Sequence, residues 1–97
     1  MRLDEKERRL ADGLMDIAEF RMTGFNALLV PDDAGVAVLK GARHLGIWIA
    51  EQGGYRWKHK QHSDGGTFVR THDDALRFTM KIVLDSLVIR KAVRIAA

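Results

Sequence analysis

A small α+β domain is what this 97-residue sequence predicts: an N-terminal helix, an antiparallel sheet of three to five strands, and a C-terminal helix packed on the sheet. Three observations predict it. Apolar residues recur at three- and four-residue spacing near both ends of the chain. They give way in the middle to short runs and two-residue alternation. Glycine-rich breaks separate those middle runs. The length supports one core, so residues 1–97 are read as a single domain.

The first helix is expected over residues 4–22. Leu3, Leu10, Leu14, Ile17 and Ala18 fall on one face, Asp4 and Glu5 suit the positive end of the helix dipole, and Gly24 stands where a C-terminal cap is needed. The apolar run Phe25-Asn26-Ala27-Leu28-Leu29-Val30 stops at Pro31-Asp32-Asp33-Ala34-Gly35, and Val36-Ala37-Val38-Leu39 resumes it, which reads as a two-stranded hairpin. A helix over residues 33–45 competes, but Gly35 and Gly41 each weigh about 1 kcal/mol against it. Further strands follow over residues 44–51, 55–61 and 67–71, the last two joined by His62-Ser63-Asp64-Gly65-Gly66.

The final helix starts at Thr71, with Asp74 three residues on in the manner of a capping box. Leu76, Met80, Val83 and Leu87 form one apolar stripe. Phe78, Ile82, Ile89 and Val93 form another, and a helix apolar on two sides must be covered twice. The second stripe is therefore the expected interface of a homodimer.

Charge is unevenly spread. Residues 1–38 carry eight acids and five bases, residues 39–62 five bases and one acid (Glu51), and residues 63–97 six bases and four acids. Positive charge thus gathers in the central hairpin, and a local patch speaks for a partner better than the overall charge of +3 does. There is no cysteine, so no disulfide framework is expected. The start of the chain, Met1-Arg2-Leu3-Asp4-Glu5-Lys6, has no apolar signal-peptide core, and the most apolar window is broken by Asp85, Arg90, Lys91 and Arg94. A cytoplasmic protein with no membrane association is the expectation.

The register of the central hairpin decides which side chains share a face. A two-residue loop at Gly53-Gly54 puts Ile47 and Ile49 beside Lys58 and Lys60, a face half apolar and half charged. A three-residue loop, Gln52-Gly53-Gly54, instead gathers Ile47, Ile49, Tyr55 and Trp57 as core and leaves Trp48 outside among Arg56, Lys58 and Lys60. The three-residue loop is the expected one. It makes Trp48 a stacking platform and Arg56, Lys58 and Lys60 phosphate contacts, with Arg43 and Arg70 at the margins.

The first functional expectation is accordingly a non-enzymatic nucleic-acid-binding module. The alternative is a protein-binding accessory or inhibitor factor of bacterial or phage type, acting through the same face or by dimerisation. A sheet followed by a packed helix also serves some DNA-binding domains, and Gly65 to Ala75 would fit their strand-to-helix junction. The order helix, three strands, helix is similar to that of double-stranded-RNA-binding domains. Those place lysines where Asp73 and Asp74 stand here, which argues against that module.

No cofactor or metal is expected. His59 and His62 point to opposite faces of a strand, and His44 and His72 lack neighbouring ligands. Asp32-Asp33 and Asp73-Asp74 occupy a turn and a helix start, where aspartate is favoured structurally, and Ser63 and Ser86 have no nucleophile context.

Overall fold

In a computed structural model that describes residues 2–30, 35–60 and 65–96, with side chains as far as Ser86, the order of elements is α1 (Leu3–Asp16), α2 (Ala18–Met22), β1 (Phe25–Val30), β2 (Gly35–Lys40), β3 (Arg43–Glu51), β4 (Gly54–His59), β5 (Thr67–Val69) and α3 (His72–Ala96). The five strands form one antiparallel sheet in the order β1-β2-β3-β4-β5. The α+β expectation holds, with the sheet at its five-strand limit. The turn expectations for Pro31-Asp32-Asp33-Ala34 and His62-Ser63-Asp64 lie outside the described residues.

The first helix ends earlier than its periodicity suggests. Ile17 is extended, and the short α2 then turns Phe20 into the core against Phe25, with ring centroids 5.9 Å apart. The Thr23 hydroxyl donates to the carbonyls of Glu19 and Phe20, and Gly24 takes a positive φ of 89° where the chain turns into β1. The line Glu7, Leu10, Ala11 and Leu14 is the buried face of α1.

Two adjacent residues of α1 hold the far end of the β3–β4 hairpin. Glu7 is buried, and its Oε2 accepts the Ala50 N–H at 3.0 Å, at a point of β3 beyond its pairing with β2. Lys6 Nζ donates to the carbonyls of Glu51 (2.7 Å) and Gly54 (3.1 Å), and lies 4.7 Å from the centroid of the Tyr55 ring. Backbone groups at a strand end are thereby satisfied by side chains, as buried polar groups require.

α3 begins as its sequence predicts. The Thr71 hydroxyl accepts the Asp74 N–H at 3.0 Å, and Asp73 and Asp74 occupy the first turn. Its buried line is Ala75, Thr79 and Val83, flanked by the partly buried Leu76, Phe78, Met80 and Ile82. Phe78 and Ile82 therefore pack on this chain's own core, and their expected role in a homodimer interface is corrected. The side chains of Ile89 and Val93 lie outside the described residues.

α1 and α3 cover the same face of the sheet. Phe25, Ala27, Val36, Val38, Trp48, Ala50, Tyr55 and Trp57 point toward them and form one core with Leu10, Leu14, Phe20 and Val83. The opposite face carries Leu28, 53% exposed, and Lys58 and Phe68, both exposed; no described helix packs on it.

Candidate binding surface

The central hairpin turns through Gln52-Gly53, with Glu51 opposite Gly54 and Gly53 at φ 83°. Neither expected loop is the one adopted. In the observed register Trp48 faces Trp57, Ala50 faces Tyr55, Ile49 faces Arg56, and Ile47 faces Lys58. The face that is half apolar and half charged is the one the sheet presents to solvent.

Trp48 is accordingly a correction. It is 0% exposed and is the largest fully buried side chain among the described residues. Its ring meets Trp57 at 5.3 Å, Phe78 edge-on at 5.7 Å and Tyr55 edge-on at 6.5 Å. Its indole Nε1–H donates to Thr79 Oγ1 at 2.8 Å, and that hydroxyl donates to the Ala75 carbonyl at 2.7 Å. The physical reason is area. Each such aromatic buries on the order of 150–250 Å², and the adopted register adds the whole of Trp48 to the Tyr55 and Trp57 that either register encloses, while Ile47 and Ile49 stay half-buried on the other face.

The buried indole donor needs a partner, and Thr79, one turn from both Ala75 and Val83 on the buried line of α3, supplies it. Burial also pushes the Tyr55 phenol above its usual value near 10, and the charge of Arg9 partly offsets this.

The predicted cations separate into three places. Arg56 is fixed on the open face: its Nε donates to Glu51 Oε2 at 2.9 Å, an NH group to the Gly65 carbonyl at 3.2 Å, and its guanidinium lies 5.4 Å from the Phe68 centroid. Its charge is met locally. Arg70 follows β5, whose Val69 pairs with Tyr55, so it stands at the end of the sheet where β4 begins.

Lys58 and Lys60 lie toward the opposite end on the open face, and Arg43 stands at that end on the face of Lys40 and Phe25. Arg43 pairs with Lys40, Lys58 with Ile47, and the Lys60 N–H bonds to the Leu45 carbonyl at 3.1 Å. A register shift opposite Val38 and Leu39 puts the exposed His44 beside Leu39 at the same end.

Two features escaped sequence reasoning. The first is the apolar content of the open face, where Leu28, Ala37 and Ile47 form a row across β1, β2 and β3, continued by Ile49 and Phe68. Because β3 is apolar at successive positions, period-two alternation gave no sign of which side is wet. The second is the pairing of Lys40 with Arg43, which needs the strand order. Among the described residues no helix is long and apolar enough to cross a membrane, and no three His, Asp or Glu side chains converge as a metal site. No protein-family model, curated protein or solved structure matches the chain.

Proposed function

We propose that the chain is a non-enzymatic module that docks a protein partner on the open face of its sheet. One observation carries the reading: both helices pack on the same side, leaving Leu28, Ile47, Ile49 and Phe68 on the other. Leu28 and Phe68 remain 53% and 39% exposed. An apolar centre with polar groups at its margin, here Asn26, Lys58 and the Arg56–Glu51 pair, is the composition of a protein interface. With Trp48 buried, base stacking has no tryptophan platform on this face, and its β1–β3 half favours a protein over a polyanion.

The test is site-specific photo-crosslinking in cells that express the chain. A photoreactive residue at Leu28 or Phe68 should give defined protein adducts, whereas one at Arg8 or Asp12 on exposed positions of α1 should not. Leu28→Ser, which leaves the core untouched, should weaken capture by the Phe68 probe. Equal adducts from both faces, or none from the open face, would overturn the proposal. Adducts containing only this chain would identify the partner as a second copy.

A further inference from the structure

We infer that the occupant of the open sheet face is an acidic amphipathic helix of another protein, laid along β2 with its carboxylates toward Lys58 and Lys60. The inference rests on the protein-docking reading and adds the shape and charge of the partner.

Three strands build the surface. On β2, Gly35 has no side chain and Ala37 is only 4% exposed, so this strand is a low line. Leu28 stands on one side of it, opposite Ala37, and the half-buried Ile47 and Ile49 stand on the other. Ile47 leans over Gly35, its Cδ1 2.8 Å from where a Cβ would stand. From Gly35 to Leu39 the line is about 13 Å long, which about nine helical residues span, so apolar side chains at i, i+4 and i+7 fill it.

A helix fits this line better than a strand does. A strand laid on apolar side chains leaves its backbone N–H and C=O groups unpaired, whereas a helix satisfies its own. Strand addition at an edge is obstructed. The Ala27 N–H of the edge strand β1 donates to Met15 Sδ at 3.4 Å, and β5 at the other edge has three residues.

Charge sets the sign of the partner. On β3 and β4 the charges of this face are Glu51, Arg56, Lys58 and, one residue past the strand, Lys60. Glu51 and Arg56 pair at 2.9 Å, which leaves the exposed Lys58 and Lys60 as the net charge, alternate residues about 6.7 Å apart. Among the described residues neither has a carboxylate partner. β4 is two strands, about 10 Å, from β2, so a helix about 10–12 Å across that rests on β2 and β3 has one flank at these lysines and the other at Leu28. A second copy is a poor occupant: its open face carries the same lysines, and its α1 and α3 bury their apolar lines in their own core.

The test is anisotropy of the full chain against labelled helical peptides of about 18 residues, at about 50 and about 200 mM salt. One peptide has a leucine stripe flanked by glutamates, a second the same stripe flanked by lysines, and a third the acidic composition with its leucines scrambled. The acidic striped peptide should bind at least about tenfold tighter than the basic one at the lower salt and lose much of that margin at the higher. Lys58→Ala/Lys60→Ala should weaken it about three- to tenfold, and Leu28→Ser more than about tenfold. Arg8→Ala/Arg77→Ala, at exposed helix positions, should leave it unchanged. Circular dichroism of each variant establishes that it is folded before it is compared.

Equal binding of the acidic and basic stripes overturns the inference, as do equal binding of the scrambled peptide, an unchanged lysine variant, or no peptide bound at the lower salt. Tighter binding to labelled duplex DNA than to the acidic stripe also overturns it. Photo-crosslinking separates the two failures: adducts from Leu28 and Phe68 without a preference for the acidic stripe leave the docking surface standing and remove the acidic helix.

Discussion

Replacing Thr79 by valine tests the placement of Trp48, on which the whole sheet orientation rests. The substitution keeps the shape of the side chain but removes the acceptor for the Trp48 indole N–H, at 2.8 Å in the folded protein. The Ala75 carbonyl that Thr79 also contacts keeps its place in the α3 ladder, so its loss is minor. What remains is a donor buried on a fully enclosed tryptophan with nothing to bond, which costs about 1–3 kcal/mol.

Taking about 2 kcal/mol and about 4–8 °C per kcal/mol for a domain of this length, the melting temperature should fall by roughly 8–16 °C. Urea unfolding followed by far-ultraviolet circular dichroism gives the free energy, and an unchanged m-value shows that the native and unfolded states have kept their compactness. A double-mutant cycle with Trp48→Phe then isolates the pair. The double variant should be less destabilised than the sum of the two singles by on the order of 1 kcal/mol, since removing donor and acceptor together leaves no orphan. A Thr79→Val effect within about 0.5 kcal/mol, of the size typical for exposed positions, would refute the reasoning. So would water-exposed Trp48 fluorescence in a Trp57→Phe background.

Three further outcomes follow from particular contacts. Glu7→Ala should destabilise by about 1–3 kcal/mol, because the Ala50 N–H loses its acceptor, while Glu7→Gln, which retains a carbonyl oxygen, should recover part of that; thermal melts compare the two. Gly46→Ala should cost about 2 kcal/mol or more, because an added Cβ would come within 2.5 Å of Trp57 Cζ2 and 2.6 Å of the Lys58 carbonyl, backbone and packed ring alike; stability at or above that of the parent would contradict the packing.

Tyr55 is the one tyrosine, so tyrosinate absorbance reports it directly and should titrate above the usual value near 10. Its folded-state value is raised, so the unfolded chain gives up the proton first and binds fewer protons at high pH. The stability that Tyr55 contributes is therefore complete below about pH 10 and falls as pH rises through the raised value. The melting temperature of the parent, measured across that range, should fall relative to that of Tyr55→Phe, which has no phenol to ionise.

Much of the architecture is legible along the chain because it rests on local chemistry. The Leu10–Leu14 part of the α1 stripe, the strand breaks at glycine and the Thr71 cap each involve residues a few positions apart and stand in the structure, whereas Leu3 and Ala18, expected on the same stripe, are exposed. The break at Ile17 was not legible. Periodicity through Ala18 continues a helix, and only the pull of Phe20 onto Phe25 explains the interruption.

The candidate surfaces were least legible, for a related reason. On β3 both Ile47/Ile49 and Trp48/Ala50 are apolar, so alternation cannot say which pair is inside. One residue of loop length inverts the answer.

By itself, then, the sequence determined the order of helices and strands, the antiparallel sheet and the surplus of positive charge in the central hairpin. Tertiary structure alone decided that Trp48 lies inside, that Arg56 is neutralised by Glu51, and that Lys58 shares the open face with Ile47 while Arg43 stands beside Lys40. The reason is that helices, caps and turns answer to neighbours in sequence. The facing of a strand answers to which of two apolar sets removes more surface from water, a comparison made only when α1 and α3 close over the sheet.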